Sequence, residues 1–138
     1  MEHPRILVHT TRIPIRWGDM DAMGHVNNTV YFRYMEQARI EWLEALGYGV
    51  AVTLDESPVI VHASCTFIVP FTYPGTVEIR TYAGRPGRSS LPTWQELYKV
   101  GEDMLHAEGT AKVVWTRPAT GKSAPLPDNI RKLVEPPA

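Results

Sequence analysis

The sequence predicts an α+β fold in which one long amphipathic helix is followed by an antiparallel sheet. Three observations carry this. Apolar residues recur at helical spacing through NNTVYFRYMEQARIEWLEALG. Four β-branched and aromatic segments follow, PVIVHASCTFIV, GTVEIRTYAG, SSLPTWQELYKV and LHAEGTAKVVWTR. The links FTYPG, GRPGR and VGED read as turns, too short for the crossover segments that parallel neighbours need.

Each element has its own signal. RILVHTTRIPIRW is β-rich with partial alternation, and Pro14 implies an edge position or a bulge there. In the helix, Tyr31, Met35, Ala38, Trp42 and Leu46 share one face, while Arg33, Glu36, Gln37, Glu41 and Glu44 point elsewhere. Asn27 or Asn28 can cap its start, and Gly47 can take the left-handed conformation that ends it. The tail ATGKSAPLPDNIRKLVEPPA begins as a loop, permits a short helix from Asp128 and is expected to fray at its final prolines. A five-stranded twisted sheet can curl its apolar face around the helix, leaving no deep cavity inside the monomer. A ligand site is then expected at an edge or between subunits.

Composition bounds the class. The 138 residues, 43% hydrophobic, suit one domain spanning 1–138 around one core, with no repeat or linker to mark a second. Lys plus Arg is 14 against 15 for Asp plus Glu, so no global field favours nucleic acid or an anionic membrane. An anionic ligand must be met locally. The single cysteine, Cys65, excludes an internal disulfide framework, and no apolar run is long enough to cross a bilayer. The N-terminal residues lack the apolar core of a secretion signal, so a cytoplasmic location is expected. Cys65 itself, in the apolar run SCTFIV with no nearby histidine motif, reads as a packing residue rather than a nucleophile.

The stretch GDMDAMGHVNN, immediately before the helix, concentrates acids, amides and a histidine. A calcium loop fits at Asp19, Asp21 and Gly24 but fails at Met23 and Val30, where ligands belong. The five histidines, His3, His9, His25, His62 and His106, show no zinc-ligand spacing. Neither a metal nor any other cofactor is expected. Taken alone, Asp, Gly and Asn are turn and cap residues, and a purely structural loop remains open. A carboxylate just outside a helix whose first amides point outward is also a site for carbonyl chemistry. The amides can hold an oxyanion while the carboxylate attacks carbon or takes a proton from water. A thioester suits this, because its thiolate leaves without strong acid assistance; the absence of a GxSxG elbow is no objection.

At these residues the sequence resembles the hotdog-fold acyl-CoA thioesterases related to 4-hydroxybenzoyl-CoA thioesterase. The shared pattern is D-x-D-x-x-G, HVNN and Y-x-x-Y-x-E-x-A-R within WGDMDAMGHVNNTVYFRYMEQAR. It is dense over residues 16 to 39, and the later strands, GRSS and LPDNIRKLVE agree in order and character. The resemblance implies a five-stranded antiparallel sheet wrapped around the long helix, and a homodimer joined edge to edge. Two such dimers often form a homotetramer, and active sites lie between subunits. It makes Asp21 the catalytic carboxylate, as nucleophile or general base, and the Asn28 backbone amide the donor that polarises the thioester carbonyl. Losing such a donor costs about 3 kcal/mol of transition-state stabilisation.

Other residues carry supporting expectations. Asp19, Asn27 and His25 orient the loop by hydrogen bonding or capping. Glu36 can form a solvated pair with Arg39, three positions on; in some relatives the matching glutamate faces the site. In GRPGRSS, Arg85 and Arg88 can pair with coenzyme A phosphates while Ser89 and Ser90 donate near the pantetheine arm, although a plain solvated turn would look the same. Tyr31, Tyr34, Trp42 and Trp94 can line an acyl pocket or simply pack the core. An acyl carrier protein is an alternative presenter of the substrate.

Two features depart from the family pattern. Pro92 within SSLPTWQEL requires a bulge or an edge, and FTYPGT lacks the Gly-Asp pair common at that turn. Two other classes stay open: a hotdog hydratase or dehydratase, whose usual His/Asp or His/Glu pair is not clearly written here, and a non-catalytic acyl-CoA binder, which would not need Asp21.

Overall fold

The computed structural model describes residues 4–48 and 55–135, so the final prolines expected to fray, Pro136 and Pro137, lie outside the described residues. The elements run β1 (Ile6–Pro14), a 3-10 turn (Trp17–Asp19), α1 (Asn28–Ala45), β2 (Ser57–Phe67), β3 (Thr76–Ala83), β4 (Ser90–Lys99), β5 (Leu105–Arg117), β6 (Lys122–Ser123) and α2 (Asp128–Val134). Every named strand pairing is antiparallel, in the order β1-β3-β4-β5-β2, with β6 paired to β5.

Among the described residues the sheet has six strands, not the expected five. The extra one forms because β4 begins at Ser90, leaving the end of β5 open on that side; Ser123 and Lys122 pair there with Thr116 and Arg117. Pro14 ends an edge strand, as its missing donor requires, and the register shift in β1 falls instead between Leu7 and His9.

Pro92 corrects the expectation more sharply. It lies inside β4, between β3 and β5, and the register runs through it without a bulge; the shift in β4 comes at Leu97 and Tyr98. The reason is local. The Pro92 carbonyl accepts from Gly84 N–H at 3.0 Å, so its ring nitrogen also faces the β3 side, where β3 has already ended at Ala83. A ladder donor is lost where the ladder is finishing.

Burial alternates along β3 and along β4 as far as Tyr98, which turns Val77, Ile79, Leu91 and Leu97 inward. The first half of α1 packs Tyr31, Tyr34, Met35 and Ala38 against Ile79, Leu97 and Ala107. Its second half packs Trp42 and Leu43 with Val113 and Trp115, closed over by Ile130 and Val134 of α2. The helix ends as expected, with Asn27 as N-cap and Gly47 at φ 93° beyond the C-cap Leu46.

Helix and sheet meet tightly at Gly109, where a Cβ would collide with Met35 Sδ and sit 3.4 Å from the Ser64 carbonyl. Gly109→Ala should therefore destabilise the fold by about 1–3 kcal/mol through overpacking, read as a lower midpoint in urea. Nearby, buried Gln95 donates its side-chain amide to the Met35 carbonyl at 2.9 Å, bridging sheet and helix.

Candidate active site

The loop between β1 and α1 is built around two aspartates with different jobs. Asp19 Oδ2 accepts from Arg16 N–H at 2.9 Å and from the Tyr34 hydroxyl at 2.7 Å, tying the loop to the second turn of α1. Its carbonyl accepts from Asn27 N–H at 3.0 Å. Burial, then the hydrogen bond to Asp19 and the charge of Asp19, push the Tyr34 phenol far above its ordinary range, so it stays a donor.

Asp21 points outward. Its carbonyl accepts from Gly24 N–H at 3.0 Å, closing a tight turn that leaves Gly24 at φ 81°, a conformation glycine adopts without strain. The carboxylate is exposed but held on both oxygens: Asn27 Nδ2 donates to Oδ2 and Met23 N–H to Oδ1, each at 2.9 Å. The Asn27 bond is the largest cause of its lowered pKa, followed by the Met23 bond, with the His25 charge adding to them. The carboxylate is ionised at neutral pH.

Asn27 serves two ends at once. Its Oδ1 accepts from Thr29 N–H at 2.9 Å as the helix N-cap, while its amide nitrogen steadies Asp21. Asn27→Asp should separate these roles: the cap acceptor remains, the donor to Asp21 is lost, and a like charge arrives. The Asp21 pKa should rise, read by carboxyl-carbon NMR. The stability sign follows. With a depressed native pKa, the contribution of Asp21 is present above its unfolded value and lost as pH falls through the native one, so the part of the acid sensitivity that Asp21 carries should shrink in the variant, while the new N-cap carboxylate adds its own.

Asp21, His25 and Asn28 line one cleft of about 310 Å³, with Met23, Val26, Tyr31 and the segment from Phe67 to Pro70 as its apolar wall. Asn28 is the first helical residue, and among the described residues no protein acceptor meets its N–H. Tyr31 is buried, accepts from Phe71 N–H at 3.2 Å and stands edge-on to Phe67 at 4.9 Å.

The remaining sequence-predicted residues lie elsewhere. Glu36 lines a separate cavity with Arg16, Asp19 and Arg33. Its partner is Arg33 at 3.4 Å rather than Arg39, because Arg33 is exposed on the helix while Arg39 turns partly inward. Arg85 and Ser90 line a third cavity, about 510 Å³, with His62, Trp94 and Lys112. Arg88 is outside that lining and reaches Ser123 at 3.4 Å, and the Ser89 carbonyl accepts from Trp115 N–H at 2.7 Å. This cavity and the Asp21 cleft share no residue.

Of the four aromatics, Tyr31 lines the Asp21 cleft, Tyr34 anchors Asp19 and Trp42 is core. Trp94 lies on the outer sheet face under the Arg5 guanidinium, 4.1 Å from the ring centre. Cys65 is half-buried, and burial pushes its thiol up to about 11, a packing residue rather than a thiolate. The wall from Phe67 to Pro70 and the Tyr34 anchor were missed in the sequence. Only the Y-x-x-Y spacing hinted at the latter.

Comparison with known proteins gives this site a family. The profile of the Thioesterase-like superfamily matches residues 15–134. PA2801 from Pseudomonas aeruginosa, proposed to be a thioesterase, superposes with a TM-score of 0.90 at 44% identity, covering 94% of this chain and 99% of that one. A proposed acyl-CoA thioesterase from Xanthomonas campestris follows at 0.76 and 29% identity, with 87% and 99% covered. A 1,4-dihydroxy-2-naphthoyl-CoA thioesterase from Synechocystis shares the fold at 0.82, with 19% identity over 91% of this chain and 94% of that one. The antiparallel sheet packed on α1 is thus a hotdog fold. The chain belongs to the Thioesterase-like superfamily, and its reaction class is thioester hydrolysis.

Proposed function

We propose that the protein hydrolyses acyl-CoA thioesters in a cleft completed by a second copy, with Asp21 as the catalytic carboxylate and Asn28 N–H as the oxyanion donor. One observation carries the reading: an exposed carboxylate, fixed on both oxygens, shares a cleft with the first residue of α1, whose amide has no protein acceptor among the described residues. The thioester carbonyl oxygen takes its hydrogen bond from Asn28 N–H, and the acyl group lies against Tyr31 and Phe67. In one route Asp21 adds to the carbonyl carbon, the C–S bond breaks to release thiolate, and water hydrolyses the resulting anhydride. In the other, Asp21 takes a proton from water as that water attacks. Asn27 and His25 support the carboxylate, Asp19 the loop, and Glu36 keeps only a peripheral place.

The coenzyme A moiety is assigned to the cavity of Arg85 and Ser90, where His62 and Lys112 add basic groups for phosphate; Arg88 and Ser89 hold that turn in shape. Separation of this cavity from the Asp21 cleft within one chain supports a site built from two subunits. So does β2, which ends the described strand order and exposes Val59, Ile60 and Val61, a row that edge-to-edge pairing would cover. A homodimer follows from this reading, a tetramer of two such dimers being the alternative that the resemblance implies, and we read residues 1–138 as one domain. Among the described residues no helix is long and apolar enough to cross a membrane, and the free Cys65 accords with the cytoplasm.

The test is thiol release from a panel of acyl-CoAs and from acyl carrier protein thioesters, with light scattering for the assembly. An active monomer would contradict the shared cleft. Because His25 lines the cleft beside Asp21, the panel should also be followed for enoyl absorbance. A change there without thiol would establish a hydratase or dehydratase instead, and saturable binding without either would leave an acyl-CoA binder.

A further inference from the structure

Tyr34 is outside the lining of the Asp21 cleft, yet its hydroxyl begins an unbroken chain of bonds that ends on the Asp21 carboxylate. Tyr34 donates to Asp19 Oδ2 at 2.7 Å, the Asp19 carbonyl accepts from Asn27 N–H at 3.0 Å, and Asn27 Nδ2 donates to Asp21 Oδ2 at 2.9 Å. Tyr34 is 4% exposed and packed in the core, so it is the fixed end of this chain, whereas Asp21 at the other end is open to solvent. We propose that Tyr34 is a positioning residue for hydrolysis: by gripping Asp19 it fixes the backbone from which Asn27 presents its amide to Asp21. The inference rests on Asp21 being the catalytic carboxylate.

The grip is specific to a hydroxyl at this position. Among the described residues Asp19 Oδ2 has two donors, Tyr34 O–H and Arg16 N–H, and only the first comes from α1. Without it the 3-10 turn still holds Asp19 through Arg16, but nothing ties that carboxylate to the helix whose first amide faces the cleft. Asn27 would keep its N-cap bond to Thr29, made within the helix start, and lose the constraint on the bond to Asp21. Among titratable groups, His25 faces Asp21, and Asp19, Tyr31 and Arg16 face Tyr34, so a shift in the Asp21 titration reports on Asn27, Met23 and His25.

The experiment compares Tyr34→Phe, Asp19→Asn and Asp21→Asn in the full chain, reading thiol release against pH and thermal unfolding. Tyr34→Phe keeps the packed ring and should lower kcat about tenfold with KM within about twofold, the signature of a misplaced group rather than lost binding. The acid limb of its rate profile should move up toward the ordinary carboxylate range as the Asn27 bond loosens. Asp19→Asn keeps an acceptor for Tyr34 and Arg16 but replaces a charge-assisted bond with a neutral one, so it should lower kcat with KM little changed, by less than Tyr34→Phe does. In an Asn27→Ala background, Tyr34→Phe should move the acid limb no further. A folded Tyr34→Phe protein with unchanged kcat and acid limb would overturn the positioning role while leaving Asp21 in place. Full activity of Asp21→Asn would overturn both.

Discussion

Asp21→Asn is expected to cut thiol release from acyl-CoA by about 10³-fold, within the range for losing a positioned acid-base group. The side chain keeps its size, and the site is exposed, so folding should be little affected. What disappears is the anion. An asparagine presents one oxygen where two donors, Asn27 Nδ2 and Met23 N–H, now each find one, so it can satisfy either but not both. Asp21→Ala should fall at least as far. In the parent protein the rate should hold as pH drops into the ordinary carboxylate range and fail only below it, because Asn27 and Met23 lower the Asp21 pKa. Equal thiol release by parent and both variants would remove Asp21 from the mechanism.

Asn28→Pro is the second large effect, and it tests a backbone atom that side-chain mutagenesis usually cannot reach. Asn28 is the first residue of α1, where proline is well tolerated because the missing N–H has no intrahelical partner. The preceding residue also permits it: Asn27 sits at φ −63°, ψ 143°, the extended region that a following proline favours. The substitution therefore deletes the proposed oxyanion donor while sparing the helix. The rate should drop by about 10²–10³-fold, the usual loss for one such donor. The thermal midpoint should stay close to that of the parent. A fast Asn28→Pro enzyme would move the oxyanion site to another donor.

These predictions rest on residues with unequal visibility in the sequence. The loop residues Asp19, Asp21, Gly24 and Asn27 were legible because turns, caps and helix starts follow local rules that act over a few positions. The apolar stripe from Tyr31 to Trp42 was legible for the same reason: helical periodicity names the buried face. Strand positions were legible too, but not their inward faces. SSLPTWQELYKV offers Trp94 and Tyr98 on one face and Thr93 and Gln95 on the other, and the structure turns the polar pair inward. Leu91 and Leu97 share that inward face, Thr93 bonds the Ala111 carbonyl, and Gln95 bonds Met35. Arg5 and Arg80 stack over the outward Trp94 and Tyr98 rings.

The site divides in the same way. Sequence alone determined that an acid-rich loop abuts the start of a single long helix, and that an antiparallel sheet follows, because capping, turn formation and periodicity are written within a few residues. Tertiary structure decided that Phe67 to Pro70 wall the cleft, that Tyr34 holds Asp19, and that Arg85 lies in a different cavity from Asp21. These contacts join positions distant along the chain, and their partners are chosen by sheet register and core packing, which no local pattern encodes.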